Sequence, residues 1–201
     1  MNFKLENFRP LFGVALFCLI TYSFHFLWWW AAPYFKATGA YQATGEFMTN
    51  QVYVSAAWVM KNMLGMDFTM TVPRTFHFVT GPAVSPAGAL PVQPALMVND
   101  SCSGLKQFFQ IAVVFLLFPG PWKHKAWFIP AAILVMHAVN IFRIIILSII
   151  LINWPGYWQF SHDWILRPFF YVVIFAEWLI WEIYFQNKQL KRNRKQPTAY
   201  K

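Results

Sequence analysis

Three side chains in this sequence could together carry out acyl transfer: Cys102, Arg143 and His162. A cysteine attacks a carbonyl carbon as its thiolate, which nearby positive charge or free N–H groups favour. An imidazole can take the thiol proton and later return it to a leaving amine. A guanidinium is charged at any working pH and can hold the oxyanion of a tetrahedral intermediate or orient the scissile carbonyl. Cys102 stands in "VNDSCSGLKQFF", directly before an apolar run that reads as a helix start. Its small neighbours Ser101, Ser103 and Gly104 leave room for a peptide backbone to approach the sulfur. Lys106, four residues on, would share its helix face and favour the thiolate. Asp163 adjoins His162.

Other assignments compete. His25 could serve as the base instead of His162, and Arg167, about one turn from His162, could replace Arg143. Cys102 could be an inert small residue, with Asp100 or Ser101 simply capping a helix. His162 could be an interfacial polar residue beside Trp158 and Trp164. Arg143 is harder to read as inert, because an arginine inside an apolar run needs an anionic partner or a water-filled cleft.

The elements that must position these residues are membrane helices. The 201 residues are 58% hydrophobic and 20% aromatic, with only 11% charged and a mean hydropathy of +0.42. Soluble domains are about 25% charged. Apolar runs at 11–30, 103–118, 127–152 and 164–185 predict an all-α integral membrane protein with about four transmembrane helices. The first run follows Lys4 and Arg9 but is too long for a signal peptide and ends in "FLWWW", which suits an interfacial belt. Prolines 119, 121 and 155 mark breaks, placing loops at "PGPWKHKAW" and "NWPGYWQFSHD".

Charge orients the helices. Lys4, Arg9, Lys123, Lys125 and the basic tail fall on one side if both termini are cytoplasmic, so the positive-inside rule gives an N-in, C-in arrangement. Residues 1–187 then form a single transmembrane domain with 31–101 as an extracytoplasmic insertion, and 188–201 form a basic cytoplasmic tail. Within the insertion, Phe47, Val54, Trp58 and Met66 recur at roughly helical spacing, which predicts an amphipathic helix lying on the outer leaflet or a short extra helix capping the bundle. "DFTMTV" and "RTFHFVTG" predict a small β-hairpin cap, and "GPAVSPAGALPVQP" reads as turns. This topology puts Cys102 and His162 at outer helix mouths. Arg143 stands roughly 20–26 Å up a core about 30 Å thick, so the three share one level.

The formal charge of +9 is concentrated in the tail "KQLKRNRKQPTAYK", which beside a bilayer points to anionic lipid rather than nucleic acid. Cys18 lies mid-run and reads as a buried small hydrophobe. The absence of a CxxC or Cys/His cluster argues against a metal site, no cofactor is expected, and a thiol redox role lacks a second cysteine near Cys102. A non-enzymatic membrane scaffold, with its polar residues joining helices, is the alternative to acyl transfer.

At these residues the sequence resembles the exosortase/archaeosortase family. "DSCSGLKQ" resembles the family's Cys-Ser-Gly-Leu box with Cys102 as nucleophile. "NIFRI" resembles its Asn-x-x-Arg box, giving Asn140 and Arg143, and "SHDWILRP" places His162 at the family histidine. The similarity runs from about residue 66 to 185. It implies a membrane-embedded cysteine protease with transpeptidase-like action at the outer face of the cell membrane. The implied substrates are exported proteins bearing a C-terminal motif, a transmembrane helix and a basic cluster. The choice of Arg143 and His162 over Arg167 and His25 leans on this resemblance. The chain departs from it in having four clear runs where many members have about eight spans.

Overall fold

The computed structural model describes residues 9–79 and 94–186; the basic tail and most of the turn-rich stretch before Pro94 lie outside them. Three helical stretches among the described residues are long and apolar enough to cross a membrane: Leu11–Lys36, Trp122–Asn153 and Pro155–Tyr184. The first lies within α1 (Arg9–Lys36), and the second is α4 (Trp122–Asn153). The run expected at 103–118 forms α3 (Leu105–Leu117) with 13 residues, about 20 Å of rise, which is short of a hydrocarbon core about 30 Å thick. Cys18, expected to be buried, is exposed on α1, a placement that suits a small apolar side chain in a membrane span.

Two expected loops are largely helical. Helix α4 already begins at Trp122, directly after Pro121, because a proline at a helix start lacks only an N–H that would be orphaned there. The same physics admits Pro155 at the first position of a 3₁₀ turn, Pro155–Tyr157. Helix then continues through a π-helical turn, Ser161–Leu166, into Arg167–Trp181. His162 therefore sits within a helical run instead of just after a loop.

The chain divides into two compact units. One comprises residues 1–37, 106–135 and 171–201. Its core is aromatic: Phe115 meets Phe128 edge-on at 4.9 Å, and Phe17 lies 4.9 Å from Trp178. A Cβ on Gly120 would come within 2.5 Å of the Trp181 ring, so this turn admits only glycine. Lys125, expected on a cytoplasmic loop, is buried and donates to the Leu116 and Phe118 carbonyls at 3.0 and 2.7 Å. Its ammonium caps the orphan carbonyls at the end of α3.

The other unit comprises residues 38–105 and 136–170 and holds the Cys–Arg–His set. Helix α2 (Gly39–Asn62) opens on Thr38, whose side chain accepts from the Tyr41 N–H. The expected helix is present, but its buried face is Thr49, Val52, Tyr53, Ala56 and Met60. Phe47, Val54 and Trp58, the stripe read from spacing, face outward. Strands β1 (Phe68–Thr71), β2 (Thr75–Phe78) and β3 (Ala95–Met97) form an antiparallel sheet in the order β1-β2-β3. The expected hairpin is β1 and β2, with Phe68 opposite Phe78. The third strand, not foreseen, pairs Phe76 with Leu96. Phe76, Phe78 and Leu96 join Val52, Ala56, Met60, Ile144 and Leu147 in one core.

Candidate active site

Strand β3 delivers the cysteine. Val98 N–H donates to the Arg74 carbonyl at 2.9 Å, and Asn99 then caps a short 3₁₀ turn, Asp100–Cys102. Arg74 supports that turn from the sheet side, with Nη2 at 3.5 Å from Asp100 Oδ1 and Nη1 donating to the Glu46 carbonyl of α2. Burial and then the Asp100 carboxylate push the Tyr41 phenol above its usual range, so α2 lies within electrostatic reach of the same turn. Cys102 is partly exposed and packs against the core shared by α2, the sheet and α4.

Cys102 does not belong to α3. Gly104, at φ 77°, separates the 3₁₀ turn from that helix, in a conformation that costs any residue with a Cβ about 1–2 kcal/mol. Ser103 is buried and its Oγ accepts the Leu105 N–H at 3.2 Å, making it the start signal for α3. Cys102 and Lys106 therefore lack the shared helix face expected of them. The Lys106 ammonium lies 3.3 Å from His25 Nδ1 and 5.5 Å from the centre of the Trp29 ring. His25 Nε2 accepts from Trp29 Nε1 at 3.1 Å. These three residues make their own cluster, within the aromatic-cored unit.

Helix α4 supplies two groups one turn apart. Asn140, fully buried, donates from Nδ2 to the Cys102 carbonyl at 2.6 Å. Arg143, 7% exposed, donates from Nη2 to His162 Nε2 at 2.9 Å. The guanidinium also lies over the Phe170 ring at 5.5 Å and within electrostatic range of Cys102. Asn140 Oδ1 and Arg143 Nε are buried and have no hydrogen-bond partner among the described residues. An acceptor and a donor left unsatisfied in this way are costly unless something else engages them.

His162 is held on three sides. Its Nδ1 lies 2.8 Å from Asp163 Oδ1, Arg143 donates to its Nε2, and its ring stacks on Trp158 at 5.1 Å and 12°. Asp163 is itself fixed by Gln159 and by Arg167, whose Nη1 is 3.0 Å away. Arg167 thus pairs with the carboxylate and Arg143 with the imidazole. A π-helical turn carries this set, and such turns recur at functional sites because they re-aim side chains within a helix. Gln159 and Asn99 were not anticipated, and Trp158 was read beside His162 only as an interfacial neighbour; Trp158 and Gln159 stand at i−4 from His162 and Asp163, a spacing visible only once this stretch is known to be helical.

The resting arrangement is specific about what touches what. Asn140 and Arg143 on one face of α4 hold the backbone of Cys102 and the ring of His162. The Cys102 thiol donates to Asn99 Oδ1 at 3.6 Å, and no hydrogen bond joins it to His162 among the described residues. Those residues also contain no group of three or more His, Cys, Asp or Glu able to hold a metal ion.

No curated protein and no solved structure matches the chain. The family model described as transmembrane exosortase (Exosortase_EpsH) matches residues 10–176, which include every member of the Cys–Asn–Arg–His set. With three helices able to cross a bilayer and a match covering most of its length, this membrane protein belongs to the transmembrane exosortase family.

Proposed function

We propose that the protein is a membrane-embedded cysteine protease and transpeptidase that cuts C-terminal sorting signals of exported proteins. The observation that carries this reading is the single turn of α4 on which Asn140 grips the Cys102 backbone and Arg143 grips His162. In the first step Cys102 Sγ bonds to the scissile carbonyl carbon while its proton passes to His162 Nε2. Arg143 stabilises the oxyanion, the kind of contribution worth about 10²–10³ in rate. The C–N bond then breaks, the proton moves from Nε2 to the leaving amine, and a thioester remains on Cys102. Water or an acceptor amine gives a proton to His162 as it attacks, and Sγ leaves with that proton restored.

Substrates of this kind bring a transmembrane helix and a basic cluster, so membrane lipid is part of the setting and nucleic acid is not. The positive-inside pattern supports a cell-membrane location with the site on the extracytoplasmic face. The test is made in cells. A co-encoded protein with a C-terminal helix and basic tail should shorten with the wild type and stay full-length with Cys102→Ala. Processing that continues in Cys102→Ala cells would return the protein to a scaffold role.

A further inference from the structure

Strand β3 is an outer strand of the sheet and runs directly into the turn that carries Cys102. The register shows which of its backbone groups are already engaged. Phe78 N–H donates to the Pro94 carbonyl at 3.0 Å, and Val98 N–H donates to the Arg74 carbonyl at 2.9 Å. Bonded and non-bonded pairs alternate along an antiparallel ladder, so Leu96, opposite Phe76, belongs to the bonded set. Ala95 and Met97, opposite His77 and Thr75, make the non-bonded pairs. The N–H and C=O groups of Ala95 and Met97 therefore point away from β2, and among the described residues no strand pairs with that side. Both residues are exposed, whereas Leu96 and Val98 are buried and anchor the strand in the core.

A free edge of this kind is a template on which another chain can pair. Edges are ordinarily blunted by charge or by proline, but Ala95, Leu96, Met97 and Val98 carry no charge. Pro94 leaves the outer side open, because its missing N–H lies on the side bonded to β2. Asn99 keeps extended backbone, at φ −101° and ψ 179°, so the edge continues to the residue that caps the Cys102 turn. The Asn99 carbonyl accepts the Cys102 N–H at 2.8 Å, which keeps the sulfur-bearing residue beside the end of that edge. The opposite edge, on β1, has no such route, since its ends lead to Asp67 and to the turn at 72–74. From these relations we infer that the free edge of β3 is the docking strand for substrate. The stretch of the exported protein flanking its scissile bond adds to the sheet as a fourth strand, bonded to the backbone of Ala95 and Met97, and is thereby led to Cys102 Sγ. This rests on the proposed role of Cys102 as the nucleophile that cuts exported proteins. Recognition through backbone bonds selects an extended segment, with alternate side chains left to set its sequence preference.

The test uses the full-length protein in cells, with the co-encoded precursor that bears a C-terminal helix and basic tail. In a Cys102→Ala background, where precursor accumulates, a benzophenone-bearing amino acid replaces Met97 or, for comparison, Met70 on the β1 edge. The two methionines are similarly exposed, at 54% and 47%. Light should join the precursor to position 97 and leave position 70 unlinked. Cross-links from position 97 that stay within the chain, or that join two copies of it, overturn the inference, as does precursor captured equally at both positions. With Cys102 intact, Ala95→Pro and Met97→Pro each remove one outward N–H and should lower processing about three- to tenfold, the factor expected for one lost hydrogen bond. Proline is tolerated on an edge strand whose N–H faces outward, and the melting temperature in detergent checks that both variants fold. Met97→Ala keeps the N–H and should process within about twofold of the wild type. Folded proline variants that process at the wild-type rate, or equal losses in Met97→Pro and Met97→Ala, also overturn the inference. If neither proline variant folds, the cross-linking result decides alone. Processing that persists in Cys102→Ala cells overturns the nucleophile reading instead, so the two failures are distinguishable.

Discussion

Arg143 Nη2 donates to His162 Nε2 at 2.9 Å, and this contact fixes the tautomer of the imidazole. Arginine has donors only, so Nε2 must accept. The ring proton then resides on Nδ1, where Asp163 Oδ1 receives it at 2.8 Å. The base therefore rests with the correct nitrogen unprotonated but covered by a cation. In the proposed mechanism, a substrate carbonyl that draws the guanidinium toward its oxygen would uncover Nε2 in the same movement, making substrate binding and base release one event.

Arg143→Ala should lower processing by about 10²–10³-fold. Arg143→Lys should recover less than about tenfold of that loss, because an ammonium cannot reproduce the fork that spans imidazole and carbonyl. Quantitative immunoblotting of precursor and product measures both. Wild-type processing by the lysine variant would exclude the fork geometry.

Asp163→Asn should reduce processing by about 10–100-fold, since the amide can present its NH₂ to Nδ1 and favour the wrong tautomer. Arg167→Ala should matter far less, within about threefold, because its guanidinium is 60% exposed and exposed ion pairs contribute little. Equal losses in the two variants would show that the ion pair, not the imidazole contact, sets the role of Asp163.

Asn140→Leu leaves the Cys102 carbonyl without its donor. The expected cost is about 1–3 kcal/mol of stability, seen as a lower melting temperature in detergent, together with a drop in processing. Asn140→Asp should be worse, because a buried carboxylate would face a carbonyl oxygen. A leucine variant that melts with the wild type would remove the anchoring role.

Gly104→Ala should cost about 1–2 kcal/mol through its positive φ, and Gly104→Asn less, since asparagine tolerates the left-handed region. Thermal unfolding of the purified variants orders them glycine, asparagine, alanine. Any other order would mean that contacts of the new side chain outweigh the backbone conformation.

The sequence was most legible where one signal sufficed. Long apolar runs announced the spanning helices, and alternation announced β1 and β2. It misled where one residue type has two physical meanings. Pro155 was read as a break, yet proline is at home at a helix start, and this hid the helical stretch bearing Trp158, Gln159 and His162. Gly104 looked like space for substrate, while its backbone conformation is what separates Cys102 from α3. Strand β3, at three residues, is too short to carry a periodic pattern. The pairing of Lys106 with His25, 81 residues away, has no local sequence signal. Asn140 and Arg143 came together through the resemblance of "NIFRI" to the Asn-x-x-Arg box, but the groups they grip were not legible.

The π-helical turn at Ser161–Leu166 has a consequence for the reading frame of the helix itself. Such a turn accommodates one residue more than the α-helix it interrupts, and each residue of an α-helix turns the chain by about 100°. Removing one residue from that turn would let the hydrogen-bond ladder close as an ordinary α-helix. The stretches before and after it would keep their facing, since the bulge is what absorbs the extra residue, while His162 and Asp163 inside the turn would lose the aim it gives them. The constellation is thus encoded partly as a count of residues: it can absorb many changes of outward-facing side chain here, but not a change of length.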